Sequence, residues 1–403
     1  MTERVPVSDV VARRLAAQHL TERLGEDALP DAAADCGIQN SPPGSALLAL
    51  HARVRGATRE AVDHAVAERK SLLQTWSVRG APFYVPTADA ATFTTGVLPP
   101  SDEALRRFLP GVAPALDALG LSLTEAAELT RTEIREVLAG RRLAVQELGA
   151  ELAGRVAGRL TAKQRRRWTA EGPYAAGQPL GEGVVHFCLR VLTLQGVVCF
   201  APRSGNKAPF VLVDEWLGHP LPDVDPTTAR AELLRRYLHC YGPSTRAGFA
   251  AWTGLQVRDT DSWWDAVEGE LTPVRLTDAD SDRGSTAWIR TADLDTLRSP
   301  PSPTGVRLLP PRDPYTQLHD RESILDQRWH REVWKTVGEP GTLLVDGVIA
   351  GIWRPRKSGR RLALAVTTFA SLAEPHRRAL HAEAEQVAPL RGASSVTVEH
   401  ATF

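Results

Sequence analysis

The sequence predicts an α+β protein built from several packed units. Three successive sets of helix-forming segments are each followed by a short strand–turn–strand segment, which is the element order of a winged helix. A Pro- and Ser-rich linker, LRSPPSPTG, separates these sets from a terminal region of strand patterns. The length of 403 residues agrees, because chains of this size usually hold more than one domain. We therefore predict units at 1–120, 121–222, 223–296 and 306–403.

The first two sets show the pattern most clearly. Residues 8–73 carry apolar side chains at helical spacing, and QTWSVRGAPFYVP follows with two β-prone runs around Arg79 and Gly80, the signature of a hairpin. The second set opens at Ser122 with a Ser-x-x-Glu capping box. It ends in GVVCFAPRSGNKAPFVLVDEW, which predicts a strand, a basic turn containing Gly, and a second strand.

The third set and the terminal region also carry local signals for helices, strands and turns. Asp225 before Pro226 predicts a helix start, and LTPVRLTDADSDRGSTAWIRT predicts a closing hairpin. In the terminal region VRLLPP, GTLLVDGVIAGIW, RLALAVTTF and SSVTVEH read as strands, with one helix near 371–389. Asp346-Gly347 predicts a type I′ turn, in which both residues need positive φ.

Composition limits the classes of function. Lys plus Arg and Asp plus Glu number 48 each, so any polyanionic partner must be bound by local basic patches. The N-terminal segment is charged, and no run of about 18 apolar residues occurs, which predicts a cytoplasmic protein without a membrane partner. The cysteines form no CxxC pair and are expected as free buried thiols: Cys36, Cys188, Cys199 and Cys240.

Several catalytic motifs are absent from the sequence. The histidines are scattered without HExxH, and His381-Ala-Glu383 has no downstream PCxxC, so we expect no metal. No Walker loop or GxSxG elbow occurs, and GEGVVH places His186 where a dinucleotide-binding loop needs its third glycine. We expect no cofactor.

Basic clusters are the more informative feature. Residues 131–170 hold ten Arg or Lys against four Glu, a pattern that also fits a solvated helical surface. The segment RPRKSGRR carries cations without any acid, which favours a phosphate backbone as partner. The predicted turn of the second hairpin, RSGNK, also carries cations without an acid, although fewer of them. The DNA-binding candidates in these two segments are Arg203, Lys207, Arg354, Arg356, Lys357, Arg360 and Arg361.

Five segments together resemble a known superfamily. At CGIQNSPPGSALLALHARV, TWSVRGAPFYVP, YGPSTRAGFAAWTGL, LLPPRDPY and TLLVDGVIAGIWRPR the chain resembles the tandem winged-helix superfamily that contains the AlkZ and YcaQ DNA glycosylases. The resemblance implies three winged helices and a C-terminal β-barrel-like unit that form a C-shaped molecule with a concave channel. It also implies a monomer whose partner is double-stranded DNA carrying alkylated purines.

The resemblance also indicates candidate catalytic residues. The superfamily's Gln-x-Gln or Gln-x-Asp motif aligns with Gln39 as its first residue and Ser41 as its second, and Asn40 takes the second position if the loop shifts by one. Gln39 can instead cap the following helix. Trp76 and Arg79 either support the DNA channel or are a core aromatic and a surface charge.

The function implied is that of a monofunctional DNA glycosylase acting on cationic alkylpurines of the N7-alkylguanine type, including bulky adducts of a DNA-alkylating natural product, in repair or self-resistance. A cationic base leaves without a strong general acid, so a polar turn that places water suffices. In LLPPRDPY, Asp313 and Tyr315 match the superfamily but also fit a structural turn. One alternative is a noncatalytic winged-helix DNA-binding protein, a regulator or a lesion-shielding factor. Another uses the hairpins as protein-interaction surfaces.

Overall fold

The computed structural model describes residues 3–203, 205, 207–277 and 286–403. These residues form two compact units. Unit 1 contains the chain up to Ala65 together with Leu234–Trp252 and Val267–Phe403, and unit 2 contains Val66–Leu233 and Thr253–Ala266. Within the described ranges, none of the helices is both long and apolar enough to cross a lipid bilayer.

Helices and strands occur along both units. The helices are α1 Val7–Ala17, α2 Leu29–Ala34, α3 Ser45–Arg53, α4 Arg59–Ala67, α5 Ala90–Phe93, α6 Asp102–Phe108, α7 Ala113–Leu119, α8 Leu123–Leu138, α9 Val145–Ala157, α10 Ala162–Trp168, α11 Leu180–Leu194, α12 Val213–Leu217, α13 Pro226–Tyr241, α14 Arg246–Thr253, α15 Asp261–Asp265, α16 Leu294–Arg298, α17 His330–Val333 and α18 Glu374–Leu390. The strands are β1 Glu3–Pro6, β2 Ile38–Gln39, β3 Leu72–Trp76, β4 Pro82–Pro86, β5 Val198–Phe200, β6 Phe210–Leu212, β7 Leu271–Thr277, β8 Thr286–Arg290, β9 Val306–Leu309, β10 Gly341–Val345, β11 Val348–Ser358, β12 Arg361–Thr368 and β13 Ser395–Thr402. The predicted α+β class is therefore confirmed.

Two predicted helix starts form as the sequence indicates. Helix α8 begins with a complete capping box, in which Ser122 Oγ accepts from the Glu125 amide at 3.0 Å and the Glu125 carboxylate accepts from the Ser122 amide at 2.7 Å. At α13 the Asp225 carboxylate accepts from the Thr228 amide at 3.0 Å. Each cap pairs a donor that the first helical turn leaves unsatisfied.

Unit 1 contains two sheets. In the smaller sheet β7 lies between β1, to which it is parallel, and β8, to which it is antiparallel. The β7–β8 pair confirms the third predicted hairpin, whose connecting residues 278–285 lie outside the described residues. Helices α1 and α16 pack beside this sheet around a buried apolar cluster of Val5, Val10, Val274, Ile289 and Leu297.

The second sheet of unit 1 corrects the predicted C-terminal β-barrel-like unit. Its strand order is β13-β12-β11-β10-β9, an open sheet without pairing between its two edge strands in the described part of the chain. Strands β12 and β13 are parallel, so helix α18 must cross over between them. Helix α18 contacts both edge strands, β9 and β13, and thereby occupies the place where a barrel would need those edges to pair. The resemblance implied that the C-terminal sheet closes into a barrel-like unit, and helix α18 prevents that closure.

The predicted hairpin turn between β10 and β11 is confirmed. Asp346 and Gly347 have φ values of 47° and 81°, as a type I′ turn requires. The strands on either side pair antiparallel from Val345 and Val348 onward. The basic connection between β11 and β12 is also a hairpin, with Ser358 opposite Arg361.

Unit 2 combines a helical core with a small sheet. Helices α8, α9 and α11 pack against one another, and α11 also packs on β3 and β5. The strands pair in the order β4-β3-β5-β6, which confirms both hairpins predicted in this region. At the first hairpin Arg79 and Gly80 have φ values of 56° and 63°. The assignment to three winged helices, the four unit boundaries and the concave channel stay predictions.

Candidate nucleic-acid interface and catalytic turn

The predicted catalytic residues lie on the turn that leads into helix α3. Asn40 Oδ1 accepts from the Gly44 amide at 2.9 Å and from the Ala46 amide at 3.4 Å. Ser45 Oγ donates to the Gln39 carbonyl at 3.2 Å. Gly44 has φ 90°, a conformation that a glycine adopts without strain. Hydrogen bonds within the turn therefore hold it in place. The sequence left open that Gln39 caps helix α3, but in the structure Asn40 forms that cap.

The three candidates differ in exposure. Gln39 retains 3% of its surface and Asn40 retains 5%, whereas Ser41 is partly exposed. Asn40 uses its side-chain carbonyl as the cap, so it has little freedom to serve as the second motif residue. The turn thus presents Ser41 at the surface and keeps the Gln39 amide nearly covered.

A buried ion pair anchors the far end of helix α3. Arg53 Nη1 and Nη2 each donate to the Asp313 carboxylate at 2.8 Å, and both side chains are buried. Asp313 Oδ1 also accepts from the Tyr315 amide at 3.0 Å. Asp313 is therefore a structural turn residue and, through Arg53, a fixed point for the helix that carries the Gln39 turn.

A second buried carboxylate lies beside the same helix. Glu383 of α18 accepts from Arg23 Nη2 at 2.6 and 2.8 Å, and His51 Nε2 lies 3.7 Å from it. Burial opposes ionisation, but the nearby His51 ring and the charge and hydrogen bonds of Arg23 outweigh it, so the pKa of Glu383 lies below its ordinary value. Glu383 is thus an ionised structural residue.

In unit 2, Trp76 is part of an aromatic cluster. Its ring centroid lies 5.0 Å from that of Phe200 and 5.3 Å from that of Phe210. The Arg190 guanidinium lies 4.8 Å from the centroid of the Trp76 ring. Arg79 is half-buried at the hairpin turn. For Trp76 these contacts favour the core-aromatic alternative, since its ring is occupied by neighbours.

The cations of the second hairpin lie between β5 and β6. Lys207 is exposed, and its Nζ lies 3.4 Å from Glu147 Oε1. Arg203 is exposed beside the same turn, next to Ser204, which lies outside the described residues. A role for either side chain in binding DNA stays a prediction.

The five cations of the basic hairpin point in different directions. Arg354, Arg356 and Arg361 share one face of the sheet, because residues paired or two apart along a strand lie on the same side. Arg354 Nη1 donates to the Gly338 carbonyl at 2.6 Å, and Arg356 pairs with Glu399. Lys357 lies on the opposite face. Neither Lys357, Arg360 nor Arg361 forms an ion pair in the described part of the chain.

The sequence analysis missed two residues beside these cations. Arg59 Nη2 donates to the Leu390 carbonyl at 3.1 Å, and Arg391 follows directly at the end of α18. Each is a single arginine in a mixed sequence, so no local pattern marks it. Only the tertiary fold brings them to the basic hairpin.

Metal ligation finds no support in the described residues: no three His, Cys, Asp or Glu side chains are grouped in a way that would hold an ion. The four cysteines are buried and unbridged. Burial raises the pKa of Cys188 and Cys199 to about 12, which makes them inert thiols.

Comparison with known proteins gives the family. The family model described as "DNA glycosylase AlkZ-like" matches residues 33–390. The chain is 26% identical over 398 residues to the "Interstrand DNA cross-link repair glycosylase" of Streptomyces sahachiroi, covering 96% of this chain and 97% of that protein. The solved structure of the Streptomyces sahachiroi DNA glycosylase AlkZ matches with a TM-score of 0.74 and 25% identity, covering 98% of this chain and 100% of the other. The chain belongs to the AlkZ-like DNA glycosylase family, and it is accordingly an enzyme that cleaves N-glycosyl bonds in DNA.

Proposed function

We propose that this protein is a monofunctional glycosylase that hydrolyses the N-glycosidic bond of cationic alkylpurines, such as N7-alkylguanine, in duplex DNA. The observation that carries the proposal is the polar turn Gln39–Ser41, fixed at the start of helix α3 inside the segment that matches the family. It lies in unit 1, the same unit as the basic hairpin between β11 and β12.

Hydrolysis of the N-glycosidic bond of a cationic purine needs few catalytic groups from the protein. Alkylation at N7 gives the purine a positive charge, so cleavage of the C1′–N9 bond moves its electron pair onto the base, which leaves neutral. Water forms the new bond to C1′ and releases its proton to solvent. The enzyme contributes by placing that water and by stabilising the positive charge that develops on the sugar. This needs no metal and no amine nucleophile.

Gln39 and Ser41 suit this task in different ways. A glutamine offers an acceptor that can orient water and a dipole that can face a positive sugar. Ser41 supplies a hydroxyl at the second motif position, where relatives of the superfamily carry Gln or Asp. Because Gln39 is nearly covered, we propose that the turn opens locally when the damaged nucleotide enters, while the Asn40 cap and the Arg53–Asp313 pair hold α3 in place.

The similar Streptomyces sahachiroi protein is named for repair of interstrand DNA cross-links. Cross-links joined through purine N7 contain the same cationic glycosidic bond twice. We therefore extend the proposal to bulky and cross-linked N7 adducts, including those of DNA-alkylating natural products, in repair or self-resistance.

The test is base release from a panel of duplexes that carry N7-methylguanine, a bulky N7-alkylguanine or an N7–N7 cross-link. Free alkylated base and an intact abasic strand are expected, and borohydride should trap no covalent enzyme–DNA adduct. Ser41→Gln, which restores an amide at the second position, should retain or raise the rate. DNA binding without base release from any lesion would contradict the proposal and favour a noncatalytic DNA-binding protein.

A further inference from the structure

A cavity of about 1090 Å³ lies in unit 1 beside the Pro- and Ser-rich linker that precedes strand β9. Helix α1, the linker, the segment before α17, the β10–β11 turn and the residues after β12 border it. We name it the linker cavity, and its lining residues fall within 7–12, 298–303, 322–329, 345–350 and 369–372. Pockets that bind small organic molecules measure about 300–1,000 Å³, so the linker cavity is large enough for such a ligand.

Hydrogen bonds within unit 1 fix the walls of the linker cavity. The Asp346 amide donates to the Gly305 carbonyl at 2.8 Å, and the Gly305 amide donates to Asp346 Oδ1 at 2.7 Å. Arg14 Nη1 of helix α1 donates to Ser323 Oγ at 2.9 Å. These bonds tie the linker to the β10–β11 turn, and the segment before α17 to α1. A cavity whose walls are fixed in this way costs little ordering entropy when a ligand binds.

Apolar side chains make up most of the surface of the linker cavity. Val7 and Val11 of helix α1 are half-buried there, and Val348 at the start of β11 is 63% exposed. The rings of Trp329 and Phe369 stack with their centroids 4.4 Å apart and form a further part of the wall. Covering such surface with an apolar ligand is favourable, because it removes the surface from water.

The charged groups of the linker cavity are mostly negative. Its lining contains four carboxylates, those of Asp9, Glu322, Asp326 and Asp346. Asp326 pairs with Arg328 at 3.2 Å, and Asp346 lies 2.9 Å from His376 Nε2. Two of the four carboxylates therefore have a basic neighbour.

The other two carboxylates remain available to a ligand. Within the part of the chain that the structure describes, neither Asp9 nor Glu322 forms an ion pair. Arg298 is the one cation among the described lining residues, and it donates to the two carboxylate oxygens of Glu3 at 2.9 and 2.7 Å. A concave apolar wall strengthens the field of unpaired carboxylates, because it displaces the water that would screen them. The cavity therefore attracts cations and repels phosphate.

We propose that the linker cavity binds a small organic cation with an apolar body. The apolar lining covers the body of the ligand, and the carboxylates of Asp9 and Glu322 hold its charged group. A neutral apolar molecule would gain only the first of these interactions, and an anion would be repelled. The Gln39 turn is not part of this lining, so the inference goes beyond the proposed function and does not depend on it.

The experiment is calorimetric titration of the protein, without DNA, with three probes that share one ring system. The probes are 9-aminoacridine, a cation; acridine, which is neutral at slightly alkaline pH; and acridine-9-carboxylate, an anion. We expect 9-aminoacridine to bind in equimolar amount and about tenfold more tightly than acridine, with the carboxylate weakest. Glu322→Gln and Asp9→Asn should each weaken binding of 9-aminoacridine about fivefold and leave that of acridine unchanged.

A third variant and a control separate the cavity from other surfaces. Val348→Lys adds a cation at an exposed position of the lining, so it should weaken binding of 9-aminoacridine without unfolding the protein, which thermal unfolding checks. The matched control is Glu385→Gln, an exposed carboxylate outside the cavity, which should bind all three probes as the wild type does.

Three results would overturn the inference: no binding of 9-aminoacridine, equal affinity for the cation and the anion, or binding that none of the three cavity variants changes. Sedimentation of the wild type and Val348→Lys tests the other possible occupant. A dimer that Val348→Lys dissociates would assign the linker cavity to a second copy of the chain and would likewise contradict the proposal.

Discussion

At the scale of single residues, two adjacent amides serve different purposes. Asn40 caps helix α3, because its side-chain oxygen accepts hydrogen bonds from the Gly44 and Ala46 amides. In the proposed mechanism Gln39 is the residue that places water. The resemblance could locate this pair, but it could not separate the two roles, because the choice depends on which side chain faces the helix start.

Loss of the cap should therefore destabilise the protein without removing the Gln39 amide. Asn40→Ala should lower the free energy of unfolding by about 1 kcal/mol, since two amides at the start of α3 lose their acceptor. Asn40→Asp should retain most of the stability, because a carboxylate accepts the same bonds. Urea unfolding followed by circular dichroism measures both, and equal stability of Asn40→Ala and the wild type would refute the cap.

The Arg53–Asp313 pair gives a second residue-scale prediction. Arg53→Met leaves a buried carboxylate without its partner and should cost about 3–5 kcal/mol. Arg53→Met/Asp313→Asn should recover part of that loss, because it removes the unpaired charge. Chemical denaturation of the two variants gives the comparison, and a double variant less stable than Arg53→Met would contradict the account.

At the scale of elements, turn chemistry made the hairpins predictable. Gly80, Gly347 and Asp346 favour or tolerate positive φ locally, and the structure shows it at these three positions and at Arg79. Closure of the C-terminal sheet could not be predicted this way, since it depends on where α18 packs. The arginines at the end of α18 were missed for the same reason, as Arg59 is more than 300 residues from Leu390 in sequence.

Two turn glycines allow backbone strain and packing to be separated. A Cβ on Gly347 would lie 2.4 Å from Pro303 Cγ and 2.8 Å from Leu15 Cδ1, whereas one on Gly359 would meet nothing within 4 Å. Both glycines have positive φ. Gly359→Ala should cost about 1 kcal/mol of unfolding free energy through strain, and Gly347→Ala about 1–3 kcal/mol more through the clash. Thermal unfolding of the two variants measures the difference, and equal costs would argue against tight packing at Gly347.

At the scale of the whole molecule, unit 1 contains ion pairs in which both side chains are largely buried. In unit 1, Arg13 is 1% exposed beside Asp293, and Arg23 is 13% exposed beside Glu383. In unit 2, Arg159 beside Glu133 is 52% exposed. Desolvation makes a buried pair costly to break, whereas solvent screens an exposed pair.

Unit 1 should therefore be the more sensitive to acid. Burial opposes ionisation of Asp293, but the hydrogen bond from His239 and the charge of Arg13 lower its pKa, and the pKa of Glu383 is lowered as well. Lowered pKa values stabilise the fold above the unfolded pKa values, about 3.9 and 4.3, and that stability is lost as pH falls through the folded ones. Hydrogen exchange below about pH 4 should show loss of protection in α1 and α18 before α8 and α11. The reverse order would contradict this assignment.

The sequence could indicate the α+β class, the hairpins and the polar turn, because each depends on local chemistry. It could not indicate the burial of Gln39, because burial is set by the tertiary fold. Burial of this amide is the feature that most constrains the proposed mechanism, in which the turn opens before Gln39 places water. The account as a whole therefore depends on whether that side chain takes part in the reaction.

Single-turnover base release from an N7-alkylguanine duplex tests this most directly, with Gln39→Ala compared with Gln327→Ala, an exposed glutamine variant, as control. Gln39→Ala should slow release by about 100-fold or more while binding undamaged DNA as the wild type does, and Gln327→Ala should release base at the wild-type rate. A folded Gln39→Ala protein that releases base as fast as the wild type would contradict the central claim.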